Sequence, residues 1–273
     1  MTTSSPPLRI VLSGVTGWAG SALAHGIVRS ADMQLVAGIA RKAAGRPLAE
    51  ALGVGSVRGS VFPDAAQALS QGADVFVEYS KPDVALANVM CALDAGADVV
   101  VGTSGLSDED YAAIDARARA AGRGVLACGN FAITAVLLLK FAEIAARYLP
   151  DVELIDYAKA GKVDVPSGTV RELTVRLAAA RGQGRPEAVP VDQVRGPRET
   201  RGAAMSGIPV HALRVPGYAL SVEAVFGAPD QRLQIRHDSG TSAEPYVDGA
   251  LLAIRAVRGR VGVTRGLDRV MDL

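Results

Sequence analysis

The first part of the chain alternates short apolar runs with segments of helical periodicity. Apolar runs of strand length occur at residues 8–13 and 34–40, and Leu23, Ile27 and Val28 recur between them at helical spacing. Further apolar runs lie at residues 75–79, 98–101 and 124–128, and helices are predicted between them at about residues 82–95 and from Ser107 to Gly122. Strands that alternate with helices in this way predict an α/β fold with a mostly parallel, doubly wound sheet and right-handed crossovers.

The pattern changes after Asn130, where one long apolar helix is predicted. The elements predicted next are a strand at residues 152–158, a helix at about residues 169–181, strands at residues 208–215, 219–226 and 232–238, and a final helix at about residues 244–257. Pro216-Gly217 separates two of these strands and predicts that they form a hairpin. Because polar and apolar residues alternate in the last strand, we expect one face of this second sheet to be exposed to solvent.

Composition and charge exclude several functional classes. The 273 residues include 29 Lys and Arg against 28 Asp and Glu, with 49% hydrophobic and 4% aromatic residues. This balance does not favour a disordered chain or a charge-driven binder of nucleic acid. No apolar stretch reaches the roughly 20 residues that a bilayer requires, and the N-terminus does not resemble a signal peptide. We therefore expect a cytoplasmic protein that binds neither nucleic acid nor membranes.

Cysteine and histidine are too few and too scattered for a local metal site. Cys91 and Cys128 are the only thiols, and they lack the paired spacing of zinc ligands. His25, His211 and His237 are the only imidazoles, and no two are close in sequence. We therefore expect buried, reduced cysteines and no bound metal. His211 and His237 are expected on the solvent-exposed face of the second sheet, with an orientation toward substrate as the alternative.

A glycine-rich turn lies between the first strand and the first helix. Backbone N–H groups at a helix N-terminus can face a pyrophosphate when no side chain blocks its approach. The spacing is G-x-x-G-x-x-G, not G-x-G-x-x-G, so a turn that only packs a helix against the sheet is the alternative. Trp18 either covers the phosphates or contributes packing. The candidate cofactor contacts are Gly14, Thr16, Gly17, Trp18, Ala19 and Gly20.

The end of the second strand predicts which nucleotide is bound. Enzymes that select NAD usually present a carboxylate there to the ribose 2′-hydroxyl. This chain has Arg41 and Lys42 instead, and two cations suit the 2′-phosphate of NADPH. We therefore expect NADPH as the cofactor, with NADH possible. A solvated loop of basic residues is the alternative.

Two more turns follow strands at the carboxyl edge of the predicted sheet, where ligands of open α/β sheets bind. Gly102, Thr103 and Ser104 follow the fourth strand, and Asn130 and Phe131 follow the fifth. We expect both groups to border the nicotinamide. The alternative is that glycine and side-chain hydrogen bonds only fix the turns.

The most specific segment covers residues 159–169 and leads directly into a predicted helix. Pro166-Ser167 is a typical helix start, and the N–H groups of Gly168 and Thr169, with two hydroxyls, suit a carboxylate or another anion. Lys162 supplies a countercharge. A plain capped helix is the alternative.

Residues 162–169 resemble the K-x-D-A-P-S-G-T signature of the dihydrodipicolinate reductases, enzymes of lysine biosynthesis. Other segments similar to that family occur in the same order; they are the glycine turn and residues 78–82, 102–104, 129–131 and 152–155. The resemblance implies that Lys162, Ser167, Gly168 and Thr169 hold a substrate carboxylate.

The same resemblance implies a domain organisation and an assembly. Residues 1–129 and 241–273 would form a Rossmann-like dinucleotide-binding domain, and residues 130–240 an inserted α+β domain for substrate binding and oligomerisation. The cofactor would be a reduced nicotinamide nucleotide, and the assembly a homotetramer. The implied activity is NAD(P)H-dependent transfer of hydride to a C=N or C=O group of a small carboxylated substrate, such as a cyclic imine.

One departure from the family affects the proton donor. The family has a His-His pair just before the signature, the first as proton donor, whereas this chain has Ala158-Lys159. A positioned general acid contributes about 10²–10⁴-fold to the rate. Lys159 and Lys162 are our candidate catalytic residues, with Tyr157 or water as alternatives. This divergence leaves open a relative that acts on another imine or ketone, a dehydrogenase working in the reverse sense, and a non-catalytic NADPH sensor.

Overall fold

The computed structural model describes residues 6–181, 189 and 191–273. The chain folds into two compact units, of which the first comprises Met1–Ile133 with Ala243–Leu273 and the second Thr134–Ser242. Each unit has its own sheet and its own apolar core. The assignment of cofactor binding to residues 1–129 and 241–273, and of substrate binding to residues 130–240, stays a prediction.

The first unit contains a parallel sheet. Its strands are β1 (Leu8–Ser13), β2 (Met33–Ile39), β3 (Ser60–Phe62), β4 (Val75–Glu78), β5 (Asp98–Val101), β6 (Gly124–Ala127) and β12 (Gly262–Arg265). Within the described residues their order is β3-β2-β1-β4-β5-β6-β12, and all neighbours are parallel. The predicted doubly wound sheet is confirmed, and its order reverses between β1 and β4, where such sheets bind nucleotides.

Local chemistry fixes several helix ends in this unit. The helices are α1 (Trp18–Arg29), α2 (Leu48–Leu52), α3 (Ala65–Leu69), α4 (Pro82–Asp94), α5 (Asp108–Ala121) and α8 (Val247–Ala256). Ser107 and Asp110 form a capping box at the start of α5, and Gly122 ends that helix in the left-handed conformation. Four short elements, α2, α3, β3 and β12, were not predicted, because three to five residues are too few to show a clear period.

The C-terminal segment completes the first unit. β12 adds to the edge of the sheet beside β6, and α8 packs against α1. Gly26 of α1 permits this contact, since a Cβ there would lie 2.3 Å from Cγ1 of Val247. None of the helices in the described part of the chain is long and apolar enough to cross a bilayer. Cys128 is buried and Cys91 partly buried, and the two do not form a disulfide.

The second unit contains a mixed sheet that packs against two helices. The strands are β7 (Asp151–Ala158), β8 (Ala203–Met205), β9 (Ile208–Arg214), β10 (Leu220–Ala228) and β11 (Gln231–Ser239), and the helices are α6 (Ile133–Ala146) and α7 (Gly168–Ala180). Among the described residues the strand order is β11-β10-β7-β9-β8. Apolar residues of α6, α7 and one sheet face form the core.

The predicted hairpin around Pro216-Gly217 is wrong. β9 and β10 are not neighbours, because β7 lies between them, parallel to β9 and antiparallel to β10. Hairpins form instead between β8 and β9, which turn at Ser206-Gly207, and between β10 and β11, which turn at residues 229–230. A pairing with a strand some fifty residues earlier leaves no trace in local spacing, so it was not predictable from the turn alone.

The two sheet histidines lie in different environments. Nε2 of His211 is 2.8 Å from Oε2 of Glu153, and both side chains are partly exposed. His237 was expected on the exposed face, and that expectation is wrong. It is only 6% exposed and pairs in register with Val222, a residue of the core.

Burial of His237 predicts a pH dependence of stability. Desolvation lowers its pKa below the ordinary value of 6.5, and the nearby Asp238 opposes part of that shift. Because the unfolded chain then binds the proton more readily, the free energy of unfolding falls as pH falls through 6.5 toward the lower folded pKa. We expect the Tm of the wild type to drop more than that of His237→Gln between about pH 7.5 and about pH 5.5. Parallel Tm curves in scanning calorimetry would contradict this.

Candidate active site

The glycine turn brings the backbone of α1 close to the end of β1. Gly14 has a φ of +76°, and a Cβ there would lie 2.3 Å from the carbonyl oxygen of Tyr79. A Cβ on Gly20 would lie 2.1 Å from the carbonyl oxygen of Gly14. The N–H of Gly17, the N-cap residue, donates to that same carbonyl at 2.8 Å. No side chain fits at Gly14 or Gly20 without a backbone shift.

This geometry fits the pyrophosphate of a dinucleotide. Thr16, Gly17 and Trp18 are exposed at the start of α1, where the first N–H groups of a helix have no acceptor within the helix. The partial positive charge there favours an anion. The turn also follows β1, at the reversal of strand order.

Trp18 is held at one edge only. Its ring meets the ring of Tyr246 edge-on, with 5.8 Å between centroids, yet the residue remains 62% exposed. Packing therefore accounts for one edge of the indole, and the rest of the ring lies open beside the glycine turn.

Arg41 and Lys42 follow the carboxyl end of β2 in a short 3-10 turn. Both are exposed, and neither forms an ion pair or a side-chain hydrogen bond with any described residue. Arg46, by contrast, is paired with Glu50 at 2.8 Å. Two uncompensated cations thus lie where the sequence analysis expects the 2′-phosphate.

A buried carboxylate fixes the turn after β5. Glu78, at the end of β4, is 0% exposed. Its carboxylate accepts hydrogen bonds from the Ser80 N–H at 2.7 Å, the Asn88 amide at 2.8 Å and the Thr103 hydroxyl at 3.3 Å. The Thr103 hydroxyl is therefore engaged inside the first unit. Glu78 lies in the family-like segment at residues 78–82 but was given no role there, although an acid that ends an apolar strand was a usable signal.

The residues around this turn are closely packed. A Cβ on Gly102 would lie 2.1 Å from the ring of Tyr79, which also contacts Phe131 with 5.6 Å between ring centroids. Asn130 accepts the Ala132 N–H at 2.8 Å, so its side chain stabilises the chain leaving the sheet. The buried Tyr79 hydroxyl has no hydrogen-bond partner among the described residues, and burial raises the pKa of Tyr79 well above its usual value. Ser104 is exposed.

The second unit supplies the other candidate site, at the start of α7. Ser167 is the N-cap residue, but its side chain does not cap the helix. Its N–H and its hydroxyl donate to the two carboxylate oxygens of Asp156 at 2.8 and 2.7 Å. Ser167 is only 2% exposed, whereas Gly168 is exposed and Thr169 partly exposed. The polar groups of Ser167 are thus already bonded, and the N–H groups of the two following residues lie at the helix start.

The two lysines of this segment differ in their surroundings. Nζ of Lys162 lies 2.5 Å from Oδ1 of Asp164, and this contact lowers the pKa of the Asp164 carboxyl. Lys159 is exposed, and its ammonium group forms no ion pair with any described residue. Lys159 therefore carries the uncompensated charge of the turn.

Tyr157 lies on the opposite face of β7 from Asp156. Its hydroxyl donates to Oε2 of Glu223 at 2.9 Å, and the Arg236 guanidinium lies 4.7 Å from its ring centroid. Burial and the hydrogen bond to Glu223 raise the pKa of Tyr157. This hydroxyl is engaged away from the Ser167 turn, which speaks against Tyr157 as proton donor.

Family models match nearly the whole chain. The model described as dihydrodipicolinate reductase, N-terminus, matches residues 8–131, and the model for the C-terminus of the same enzyme matches residues 134–271. A 4-hydroxy-tetrahydrodipicolinate reductase from Moorella thermoacetica is 32% identical over 266 residues, with 97% of this chain and 98% of that protein covered. The enzyme of the same name from Symbiobacterium thermophilum is 34% identical, with 97% of each chain covered.

Solved structures agree with these matches. A dipicolinate-bound dihydrodipicolinate reductase from Paenisporosarcina sp. TG-14 has a TM-score of 0.85 and 30% identity, with 97% of this chain and 100% of that chain covered. An amine dehydrogenase from Mycobacterium smegmatis, with a TM-score of 0.67 at 19% identity and coverage of 96% and 95%, shares the fold. The chain belongs to the dihydrodipicolinate reductase family and is an NAD(P)H-dependent reductase.

Proposed function

We propose that the protein transfers hydride from NADPH to the C=N carbon of a small cyclic imine that carries a carboxylate. The substrate named for its relatives, 4-hydroxy-tetrahydrodipicolinate, is the first candidate. The observation that carries this proposal is the Lys162–Thr169 turn, where the exposed Gly168 and the partly exposed Thr169 begin α7 and Lys162 precedes them in the same turn.

In the first unit, the chain's contribution is to bind and orient the nucleotide. The N–H groups of the glycine turn would receive the pyrophosphate, and Arg41 with Lys42 the 2′-phosphate. Bound NADPH supplies the hydride. Gly102, Ser104 and Phe131 would border the nicotinamide, in a turn that Glu78 holds rigid through Thr103.

In the second unit, the chain would bind the substrate and supply a proton. The carboxylate would accept hydrogen bonds from the N–H groups of Gly168 and Thr169 and compete with Asp164 for the Lys162 ammonium. As hydride adds to the C=N carbon, the nitrogen takes a proton from the Lys159 ammonium, which solvent then reprotonates. Lys159 suits this role because no described carboxylate holds its proton.

The decisive assay follows NADPH absorbance with freshly prepared 4-hydroxy-tetrahydrodipicolinate. We expect NADPH consumption that requires both enzyme and substrate. A rate no higher than background would exclude 4-hydroxy-tetrahydrodipicolinate as the substrate. Ala158-Lys159, in place of two histidines, favours another imine or ketone as the second candidate, and a panel of carboxylated imines and ketones would then identify it. Tight NADPH binding without turnover on any member of the panel would indicate a sensor.

Preference for NADPH is testable at the end of β2. We expect the double variant Arg41→Ala, Lys42→Ala to weaken NADPH binding by about tenfold or more, since charge-assisted hydrogen bonds contribute about 1.5–3 kcal/mol each. NADH affinity should stay within about twofold, because NADH has no 2′-phosphate. Trp18 is the only tryptophan, so its fluorescence reports both affinities. Arg46→Ala is the matched control, and equal losses for NADH and NADPH would contradict the assignment.

We also infer that the protein assembles as a cytoplasmic homotetramer through the open face of its second sheet. That face carries Leu213, which pairs in register with Tyr157 and is 38% exposed. Light scattering after size exclusion tests the assembly, and a monomeric mass would contradict it.

A further inference from the structure

A buried ion pair lies beneath the Lys162–Thr169 turn. Asp156 of β7 is 0% exposed, and the side chain of Arg214, at the end of β9, is 14% exposed. Nη2 of Arg214 lies 2.7 Å from Oδ2 of Asp156. Because desolvation offsets much of the attraction in such a pair, burial alone gives little reason to keep it. Its remaining hydrogen bonds indicate what it does.

Arg214 connects the first half of the turn to the strands below. Nη2 also donates to the Asp164 carbonyl at 2.9 Å, and Nη1 donates to the carbonyls of Asp156 at 3.2 Å and of Leu213 at 2.9 Å. The planar guanidinium thus bonds to three segments at once. A lysine at this position keeps the charge but not this fork.

Asp156 connects the second half. Its Oδ2 accepts a hydrogen bond from the N–H of Ser167, and its Oδ1 accepts one from the Ser167 hydroxyl. The ion pair therefore fixes the backbone at Asp164 through Arg214 and at Ser167 through Asp156. These two points lie within the stretch that joins Lys162 to the N–H groups of Gly168 and Thr169.

We propose that Asp156 and Arg214 are positioning residues that set the shape of this turn for a carboxylate ligand. Asp156 is fully buried, and the two terminal nitrogens of Arg214 already donate to Asp156, Asp164 and Leu213, so both residues act through Asp164 and Ser167. Ser167 serves as an anchor whose hydroxyl points to Asp156. This inference rests on the proposed function for the identity of the ligand, but its structural part does not depend on turnover.

The experiment compares Arg214→Lys and Asp156→Asn with a matched control in the first unit. Asp98 is also buried at 3% exposure, accepts the Gly124 N–H at 2.9 Å and pairs with Arg258 at 3.2 Å. Asp98→Asn therefore removes a similar buried charge far from the turn in sequence. Calorimetry measures the Kd of dipicolinate with NADPH saturating, and Trp18 fluorescence measures the Kd of NADPH, both well below each variant's Tm.

We expect the dipicolinate Kd to rise by about tenfold or more in both turn variants, the loss typical of a misplaced charge-assisted site. NADPH affinity should stay within about twofold of the wild type, and Asp98→Asn should leave the dipicolinate Kd unchanged. A structural role alone would lower the Tm of all three variants, but it would not weaken dipicolinate binding in the two turn variants while NADPH binding stays intact. An unchanged dipicolinate Kd in the turn variants, or an equal loss in Asp98→Asn, overturns the proposal. If Asp156→Asn fails to fold, Arg214→Lys decides.

A second readout separates this inference from the proposed function. If the wild type binds no dipicolinate, the proposed substrate class is wrong, and amide hydrogen exchange then tests the turn. We expect amides within residues 162–169 to exchange about tenfold faster in Arg214→Lys than in the wild type, with no change there in Asp98→Asn. Unchanged exchange across the turn overturns the positioning role, whatever the ligand.

Discussion

Replacement of Gly20 by alanine is expected to push α1 away from the turn that precedes it and to weaken NADPH binding by at least about tenfold. The new Cβ would lie 2.1 Å from the Gly14 carbonyl oxygen and 2.8 Å from its carbon. Both atoms belong to the backbone, so no rotamer change can relieve the contact. The loop would have to move, and its N–H groups would lose their alignment for a pyrophosphate.

We expect this variant to lose about 1–3 kcal/mol of unfolding free energy, which corresponds to roughly 2–4 °C of Tm for each kcal/mol. Trp18 fluorescence should show NADPH binding weakened by at least about tenfold. Gly55→Ala is the control, since Gly55 is exposed in the same unit and an added Cβ there meets nothing within 4 Å. Wild-type Tm and NADPH affinity in Gly20→Ala would show that the turn does not hold the nucleotide.

Methionine in place of Lys159 is expected to lower kcat by about 10²–10⁴-fold with little change in KM. Methionine keeps most of the side-chain volume but has no proton to give. Lys162→Met should instead raise KM by about tenfold or more, because a charged hydrogen bond to the carboxylate is lost. The split between kcat and KM identifies which lysine donates the proton and which binds.

The measurement is steady-state NADPH oxidation with the substrate that the first assay identifies. Lys140→Met is the control, since Lys140 lies on α6 of the same unit and forms no ion pair with any described residue. The opposite split would exchange the roles of the two lysines. Wild-type rates in both variants would show that neither Lys159 nor Lys162 takes part in the reaction, and water would then be the proton source.

Most of the first unit was predictable because its main strands are continuous apolar runs and its longer helices show their own period. The main strands and the capping box at Ser107 follow from local pattern alone. The order of β7, β9 and β10 does not follow from local pattern. Those strands pair across long separations in sequence, and the Pro216-Gly217 turn resembles a hairpin turn. Strand pairing in the second unit is a property of the whole sheet.

The site was predictable in its position but not in its bonding. The glycine turn and the segment at residues 159–169 were found from sequence, yet the hydroxyls of Thr103 and Ser167 turn toward buried carboxylates. Glu78 and Asp156 lie at or near the ends of strands, where a lone acid resembles the start of a loop. Only the fold shows that each acid is buried and takes the hydroxyl that a ligand would otherwise contact.

The division of the first unit between both ends of the chain affects how the protein is made. α8 and β12 belong to its helix layer and sheet, yet they leave the ribosome only after the second unit has done so. Every residue of Thr134–Ser242 is synthesised before they appear. During translation, the second unit can therefore fold first, whereas the first unit is completed only after its closing helix and edge strand have been synthesised.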